Sequence, residues 1–335
     1  MNGSKNPNIM VSVICNAYNH EPYIRQCLES LVCQITDFNY EILVHDDAST
    51  DKTAEIIKEF EELYPDLIKP IYQTENQYSK GGIAKFQYSR VSGKYIAFCE
   101  GDDYWTDDNK LQIQFDSLEK HPEIDICAHG AIIINALDNR QIGMVTPRKE
   151  DTIINPDDVI YGDGGFVATN SLMYRSNLNN KIPMFRKMLN MDYTIQIHGS
   201  LKGGMLYVHQ VMSAYRYAVP ASWTKRILLN EEKRGQFEIK KHKMLLQLDK
   251  DTSYLYHDII QKRIKRDKFE CYGRNRQYKE MLKQEYKEFF SEMPLNGQIR
   301  VFVLSVFPWL KPIKDKLLKY VITAGGKHEK PCKRK

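Results

Sequence analysis

The chain is most informative first in what it lacks. Neither GxGxxG nor GxxxxGK[ST] occurs, which argues against a dinucleotide-binding enzyme and against a P-loop NTPase. No CxxC pair occurs among seven scattered cysteines, and most sit inside apolar runs, where a reduced thiol behaves as a small hydrophobe. A reducing, cytoplasmic setting is therefore expected. No run approaches the roughly 20 apolar residues of a transmembrane helix. The opening "MNGSKNPNIM" has no apolar core, so no secretory leader is expected. A formal charge of +5 is too small an excess to make nucleic acid the expected partner.

What is present is an alternating pattern. "IMVSVICNAYNH", "YEILVHDDAST", "IKPIYQTEN" and "KYIAFCEGDD" read as strands. They are continuous apolar runs, as in strands buried on both faces of a parallel sheet. Between them lie "EPYIRQCLESLVCQ", with Pro22 in its first turn, "STDKTAEIIKEFEELYP" and "GGIAKFQYSRVSG", all helical in pattern. The second helix is expected to be capped by Ser49 or Thr50. "TDDNKLQIQFDSLEKHP" follows as a fourth helix, with acids early and bases late. Residues 9–121 thus read β-α-β-α-β-α-β-α, which implies a parallel sheet with right-handed crossovers. With strand order 3-2-1-4, the ends of strands one and four flank a crevice, the place where ligands bind in open α/β sheets. Asn16–Tyr18 and Glu100–Asp103 would then face each other.

Residues 124–220 are mixed. Strands are expected at "IDICAHGAIII" and "GMVT" around an "LDNR" turn, and in "MLYVHQVMSAYRYAVPASW". "YGDGGFVATNSLMYR" reads as a loop into a strand, and "MDYTIQIHGSLKGG" as a short helix. Beyond about 225 the chain becomes helical and strongly charged.

"AFCEGDDYW" poses the chemical question. An apolar strand ends in Glu100, Asp102 and Asp103, and crowding carboxylates at a buried strand tip costs free energy. Mg²⁺ or Mn²⁺, held by one or two carboxylates together with substrate phosphates, would offset that cost. The competing reading is a solvated loop whose acids cap the next helix, and "HDDAST" admits the same one.

Three stretches, "VSVICNAYNHEPYIRQCLESLVCQ", "YEILVHDDASTDKTAEII" and "GKYIAFCEGDDYWTDDNKLQIQ", resemble in order and spacing the family 2 glycosyltransferases of the GT-A fold. The likeness is greatest to bacterial members that build capsule, O-antigen or other surface polysaccharides. It covers residues 9–125 strongly and 160–225 more loosely. It implies an α/β GT-A fold: a Rossmann-like, mostly parallel central sheet flanked by helices. A nucleotide-sugar-binding half at 9–125 and an acceptor-side half at 126–224 would be followed by a helical, basic extension at 225–335. The implied activity is inverting, metal-dependent transfer of a hexosyl or N-acetylhexosaminyl group, with a UDP-sugar as donor and a saccharide or lipid-linked acceptor. An inactive nucleotide- or glycan-binding homologue is the alternative. A nucleotidyltransferase is disfavoured, because "CNAYNHEPY" stands where such enzymes carry a Gly-rich basic loop.

The resemblance also implies site residues. Asn16, Ala17 and Tyr18 would contact the nucleotide, as would Asp46 or Asp47, with Asp47 favoured. Glu100-Gly101-Asp102-Asp103 stands for the DxD motif, with Glu in place of the first Asp; Asp102 and then Asp103 would hold a divalent cation, Mn²⁺ or Mg²⁺, and Asp102 the diphosphate with it. Asp192 would be the general base. Arg216 would meet the diphosphate and Trp223 cover the site, and Trp105 would shape a pocket or pack in the core. The His expected after Tyr215-Arg216 is replaced by Ala218. Residues 299–322 mix Val301, Phe302, Leu304, Phe307, Trp309 and Leu310 with lysines, which suits either peripheral attachment to the inner face of the cell membrane or a packed C-terminal helix.

Overall fold

In the computed structural model the described residues are 9–189, 191–220, 222, 227 and 230–308. They form two compact units, divided between Ile260 and Gln261.

The first unit is a mixed α/β layer structure. In chain order it contains β1 (Ile9–Ala17), α1 (Ile24–Val32), β2 (Asn39–Asp46), α2 (Thr53–Leu63), β3 (Ile68–Tyr72), α3 (Ile83–Tyr88), β4 (Tyr95–Phe98), β5 (Tyr104–Trp105) and α4 (Lys110–Lys120). There follow β6 (Ile126–Asn135), β7 (Gln141–Val145), β8 (Thr152–Ile154), α5 (Pro156–Gly162), β9 (Met173–Arg175), α6 (Met184–Met188), α7 (Asp192–Ser200) and β10 (Met205–Tyr217). A helix at Glu231–Asp251 ends with Met244, Leu245 and Leu248 buried, and Asp251 Oδ2 accepts the Phe185 N–H at 2.9 Å.

The sheet runs β3-β2-β1-β4-β9-β6-β10-β5, with β7 on β6 and β8 on β10. The expected order 3-2-1-4 holds, and those four strands are parallel, with Val13 opposite Ile42 and Ala97. β10 runs parallel to β6, while β9 is antiparallel to both β4 and β6 and joins the two halves. The apolar runs are buried on both faces: Val11, Val13, Ile14 and Cys15 of β1 are all at most 1% exposed. That double burial is why these strands carry no polar alternation. Gly93 lets β1 and β4 approach, since a Cβ there would lie 2.5 Å from the Ser12 nitrogen.

Two local expectations are corrected. α2 is not capped by Ser49 or Thr50: the Ser49 hydroxyl accepts the Asn19 N–H at 3.0 Å, and Asp51 Oδ1 takes the Thr53 N–H at 3.0 Å instead. Proximity to the loop after β1 wins over the local cap. α1 starts at Ile24, with Pro22 in the turn before it.

The second unit is helical, with Phe269, Tyr278, Met281, Tyr286, Phe289, Val301 and Leu304 as its buried core.

Candidate active site

Three loops leave the carboxyl ends of β1, β2 and β4 at one rim, and hydrogen bonds weld them together. The Asp47 N–H donates to the Ala17 carbonyl at 2.9 Å. The His20 N–H donates to Thr53 Oγ1 at 2.8 Å, and the Thr50 N–H to Asn19 Oδ1 at 2.8 Å. Asn19 and Ala48 turn the two loops with φ of 54° and 62°. Tyr18 is 39% exposed and Ala17 is buried beside it.

Asn16 crosses the crevice. Its Nδ2 donates to Glu100 Oε1 at 3.4 Å, and its Oδ1 accepts from Gln87 Nε2 at 3.0 Å. The facing of Asn16 and Glu100, argued above from strand order alone, is therefore present.

Asp46 and Asp47 differ in what they hold. Asp47 accepts the N–H of Gln77 at Oδ1 (2.6 Å) and of Tyr78 at Oδ2 (3.0 Å), pinning the loop after β3. Asp46 takes the Ser49 N–H at Oδ2 (3.3 Å), while its buried Oδ1 has no partner among the described residues. Burial raises the Asp46 carboxyl above its usual range.

The acidic loop itself is divided. Gly101 is fixed by crowding, since a Cβ there would lie 2.9 Å from His20 Nδ1 and 3.1 Å from Ala17. Asp103 is 2% exposed. Its Oδ1 accepts the Arg216 N–H at 2.8 Å and its Oδ2 the Asn170 amide at 3.1 Å. Asp102 is half-buried, and among the described residues its carboxylate meets the His20 ring, Oδ2 to Nε2, at 3.8 Å. Burial, and then the charge of Asp102, push Glu100 up to about 8, and Asp192 adds to that rise. Asp103 is raised by the same two causes. Asp102, half-buried beside Glu100, keeps a carboxylate with no backbone or amide donor on it among the described residues, and carboxylate oxygens are what a hard divalent cation takes, so the residues present fit Mg²⁺ or Mn²⁺.

Arg216, expected at the diphosphate, lies against the acidic loop. One guanidinium nitrogen donates to the Asp102 carbonyl at 2.6 Å and another to Gln26. The guanidinium lies 5.1 Å from the Tyr23 ring centroid and 4.7 Å from that of Tyr104. It braces the backbone of the acidic loop. Trp105 is core: it is 3% exposed, and its indole N–H donates to the Asn170 carbonyl at 3.0 Å.

Asp192 opens α7. Thr169 Oγ1 donates to its Oδ2 at 2.5 Å and the Tyr193 N–H to its Oδ1 at 2.8 Å. Burial raises its carboxyl. The loop Asp163–Gly165 lies alongside: a Cβ on Gly164 would come within 4.0 Å of Asp192 Oδ1, and Gln196 Nε2 donates to the Gly164 carbonyl at 3.3 Å. Lys241, 3% exposed on the helix Glu231–Asp251, pairs with Asp163 Oδ2 at 2.8 Å and holds that loop. Ala218 follows β10 with φ 65°. Trp223 lies outside the described residues.

Sequence reasoning missed His20, Asn170, Thr169 and Lys241. Each acts through a contact far along the chain, 82 residues from His20 to Asp102 and 67 from Asn170 to Asp103, and no local pattern announces such a partner.

The model of glycosyl transferase family 2 matches residues 12–216. An uncharacterized protein of Mycobacterium tuberculosis is 33% identical over 216 residues, which are 64% of this chain and 60% of that one. The chain thus spans about three-fifths of that relative. An uncharacterized glycosyltransferase of Nostoc is 29% identical over 175 residues, covering 51% of this chain and 52% of its own. Among solved structures, Staphylococcus aureus TarS 1–349 in complex with UDP-GlcNAc superposes with a TM-score of 0.56 at 16% identity, over 89% of this chain and 82% of that one. The mannosyltransferase PcManGT of Pyrobaculum calidifontis in complex with GDP-Man and Mn²⁺ superposes with 0.50 at 14% identity, over 92% and 90%. The fold is therefore GT-A.

Proposed function

The chain belongs to glycosyl transferase family 2, and from that premise we propose that it is an inverting, divalent-cation-dependent transferase. It moves a hexosyl or N-acetylhexosaminyl group from a UDP-sugar to a saccharide or lipid-linked acceptor in surface polysaccharide synthesis. The observation that carries this reading is the crevice in which Asn16 touches Glu100 while the charges of Asp102 and Asp192 both act on Glu100. Donor-side and acceptor-side acids thus converge on one place.

In this reading Asn16, Ala17, Tyr18 and Asp46 line the nucleoside end, with Asp47 shaping that pocket through the backbone of 77–78. Asp102 holds the cation and the donor diphosphate, and Asp103 fixes the loop from beneath. The cation, when bound, neutralises charge on the departing diphosphate. Asp192 removes the proton from the acceptor hydroxyl as its oxygen attacks the anomeric carbon. The bond from that carbon to the diphosphate oxygen breaks, and the nucleoside diphosphate leaves with the electron pair. One displacement inverts the configuration. The raised carboxyl of Asp192 makes it a better proton acceptor than an exposed aspartate, and Thr169 and the Tyr193 N–H hold it in place. The two complexed structures, one with UDP-GlcNAc and one with GDP-Man and Mn²⁺, support the donor class and the cation.

The test is a thermal-shift screen with UDP, GDP, CDP and their sugars, with and without Mn²⁺, followed by donor hydrolysis or transfer. A ligand bound only by the folded chain raises its melting temperature. A rise for one nucleotide that needs Mn²⁺ and disappears in Asp102→Ala is expected. No rise with any nucleotide would overturn the reading.

A further inference from the structure

The helix Leu295–Val306 of the second unit is apolar on two faces. One face is core, with Val301 and Leu304 buried. The other is bare: Leu295, Ile299, Phe302 and Val306 are 72%, 55%, 59% and 52% exposed. At 3.6 residues per turn these four fall on one stripe. Phe307, just after the helix, is 45% exposed. The helix carries one charged residue, Arg300, and no acid. A row of large apolar side chains facing water marks a contact surface.

The chain that continues from it says what covers the stripe. Of the 48 Lys and Arg, nine lie in residues 309–335, against two of the 43 acids. The positive excess of the whole chain therefore lies in this segment, interleaved with Trp309, Leu310, Leu317, Leu318 and Tyr320. Twelve residues span about 18 Å, short of a hydrocarbon core of about 30 Å, and among the described residues no helix is long and apolar enough to cross a membrane. An apolar stripe followed by a basic, aromatic segment matches an interface whose headgroups are negative and whose interior is hydrocarbon.

We propose that the outer face of Leu295–Val306 docks on an anionic lipid surface, to which the basic sequence after Pro308 is complementary in charge. A transferase held this way would meet acceptors carried in that surface, but the docking stands independently of the transfer reaction, because its assay needs neither donor nor acceptor.

The test is co-sedimentation of the full chain with vesicles of phosphatidylcholine alone and of phosphatidylcholine with 30% phosphatidylglycerol. The wild type is expected to bind the anionic vesicles at least tenfold more tightly than the neutral ones and to be released by 0.5 M salt. Ile299→Asn with Phe302→Asn, both exposed, should weaken binding about tenfold with an unchanged melting temperature, and the combined Lys311→Gln, Lys314→Gln, Lys316→Gln and Lys319→Gln should lessen the salt dependence. Equal binding to both vesicles, or none to either, would overturn the proposal. So would wild-type dimers that the Ile299/Phe302 variant dissociates, since a second copy would then cover the stripe.

Discussion

The main-chain N–H of Arg216 donates to Asp103 Oδ1 at 2.8 Å, joining the end of β10 to the acidic loop after β4 across 113 residues of sequence. Asn170 completes the joint by donating to the other oxygen. Asp102, one residue earlier, is half-buried and carries no such anchor among the described residues. Of two adjacent aspartates, one fastens the loop and the other, proposed to hold the cation, does not.

Asp103→Ala should unfold the chain more readily than Asp102→Ala. It leaves the buried Arg216 N–H without its acceptor and the Asn170 amide with only the Ala214 carbonyl, at a cost of about 3 kcal/mol, read in urea denaturation. Asp102→Ala should change stability by less than about 1 kcal/mol and abolish the Mn²⁺-dependent part of the nucleotide shift. The reverse ordering would exchange the two roles.

Asp192→Asn should lower turnover about 10²–10⁴-fold, the usual contribution of a general base. The donor-induced thermal shift should stay intact, because the acids after β4 are untouched. A variant that loses donor binding as well would show Asp192 to be part of the donor pocket.

Lys110 offers a pH-dependent measurement. Its buried side-chain nitrogen has no hydrogen-bond partner among the described residues and lies 3.8 Å over the Trp105 ring. Cys99, Cys127 and His129 are the titratable groups around it. Burial lowers it to about 7, against about 10.4 in an unfolded chain. Between those values the unfolded chain holds a proton that the folded chain lacks, so this group makes stability rise with pH. Below about 7 the full penalty applies. Lys110→Met should therefore stabilise the protein by about 2 kcal/mol at pH 6, with the gain fading toward pH 10. A gain independent of pH would mean that Lys110 keeps its proton in the fold as readily as in the unfolded chain.

Lys241→Met should free the loop Asp163–Gly165 beside Asp192 while leaving the nucleotide loops alone. The expected outcome is an acceptor KM raised several-fold to tenfold, an unchanged donor shift, and a loss of about 1–3 kcal/mol as the buried Lys241 ion pairs with Asp163 and Glu238 are broken. A change in donor binding alone would place this ion pair on the other side of the crevice.

The sequence by itself determined the β-α alternation, the parallel block β3-β2-β1-β4 and the rim where its loops gather. Doubly buried strands leave continuous apolar runs, and turns between them leave polar punctuation, so this information is local. "AFCEGDDYW" likewise pointed to a place where carboxylates crowd at a buried strand end, and the structure puts them there. Only the tertiary structure decided what each of those acids does. Asp103 became a fastener because β10 and Asn170 arrive beside it, Arg216 a brace because Tyr23 and Tyr104 enclose it, and Ser49 a loop tie rather than a cap because Asn19 came closer than the helix. Hydrogen-bond partners are chosen by distance in space, and for side chains buried at a crossing of loops that distance is set by residues tens to hundreds of positions away.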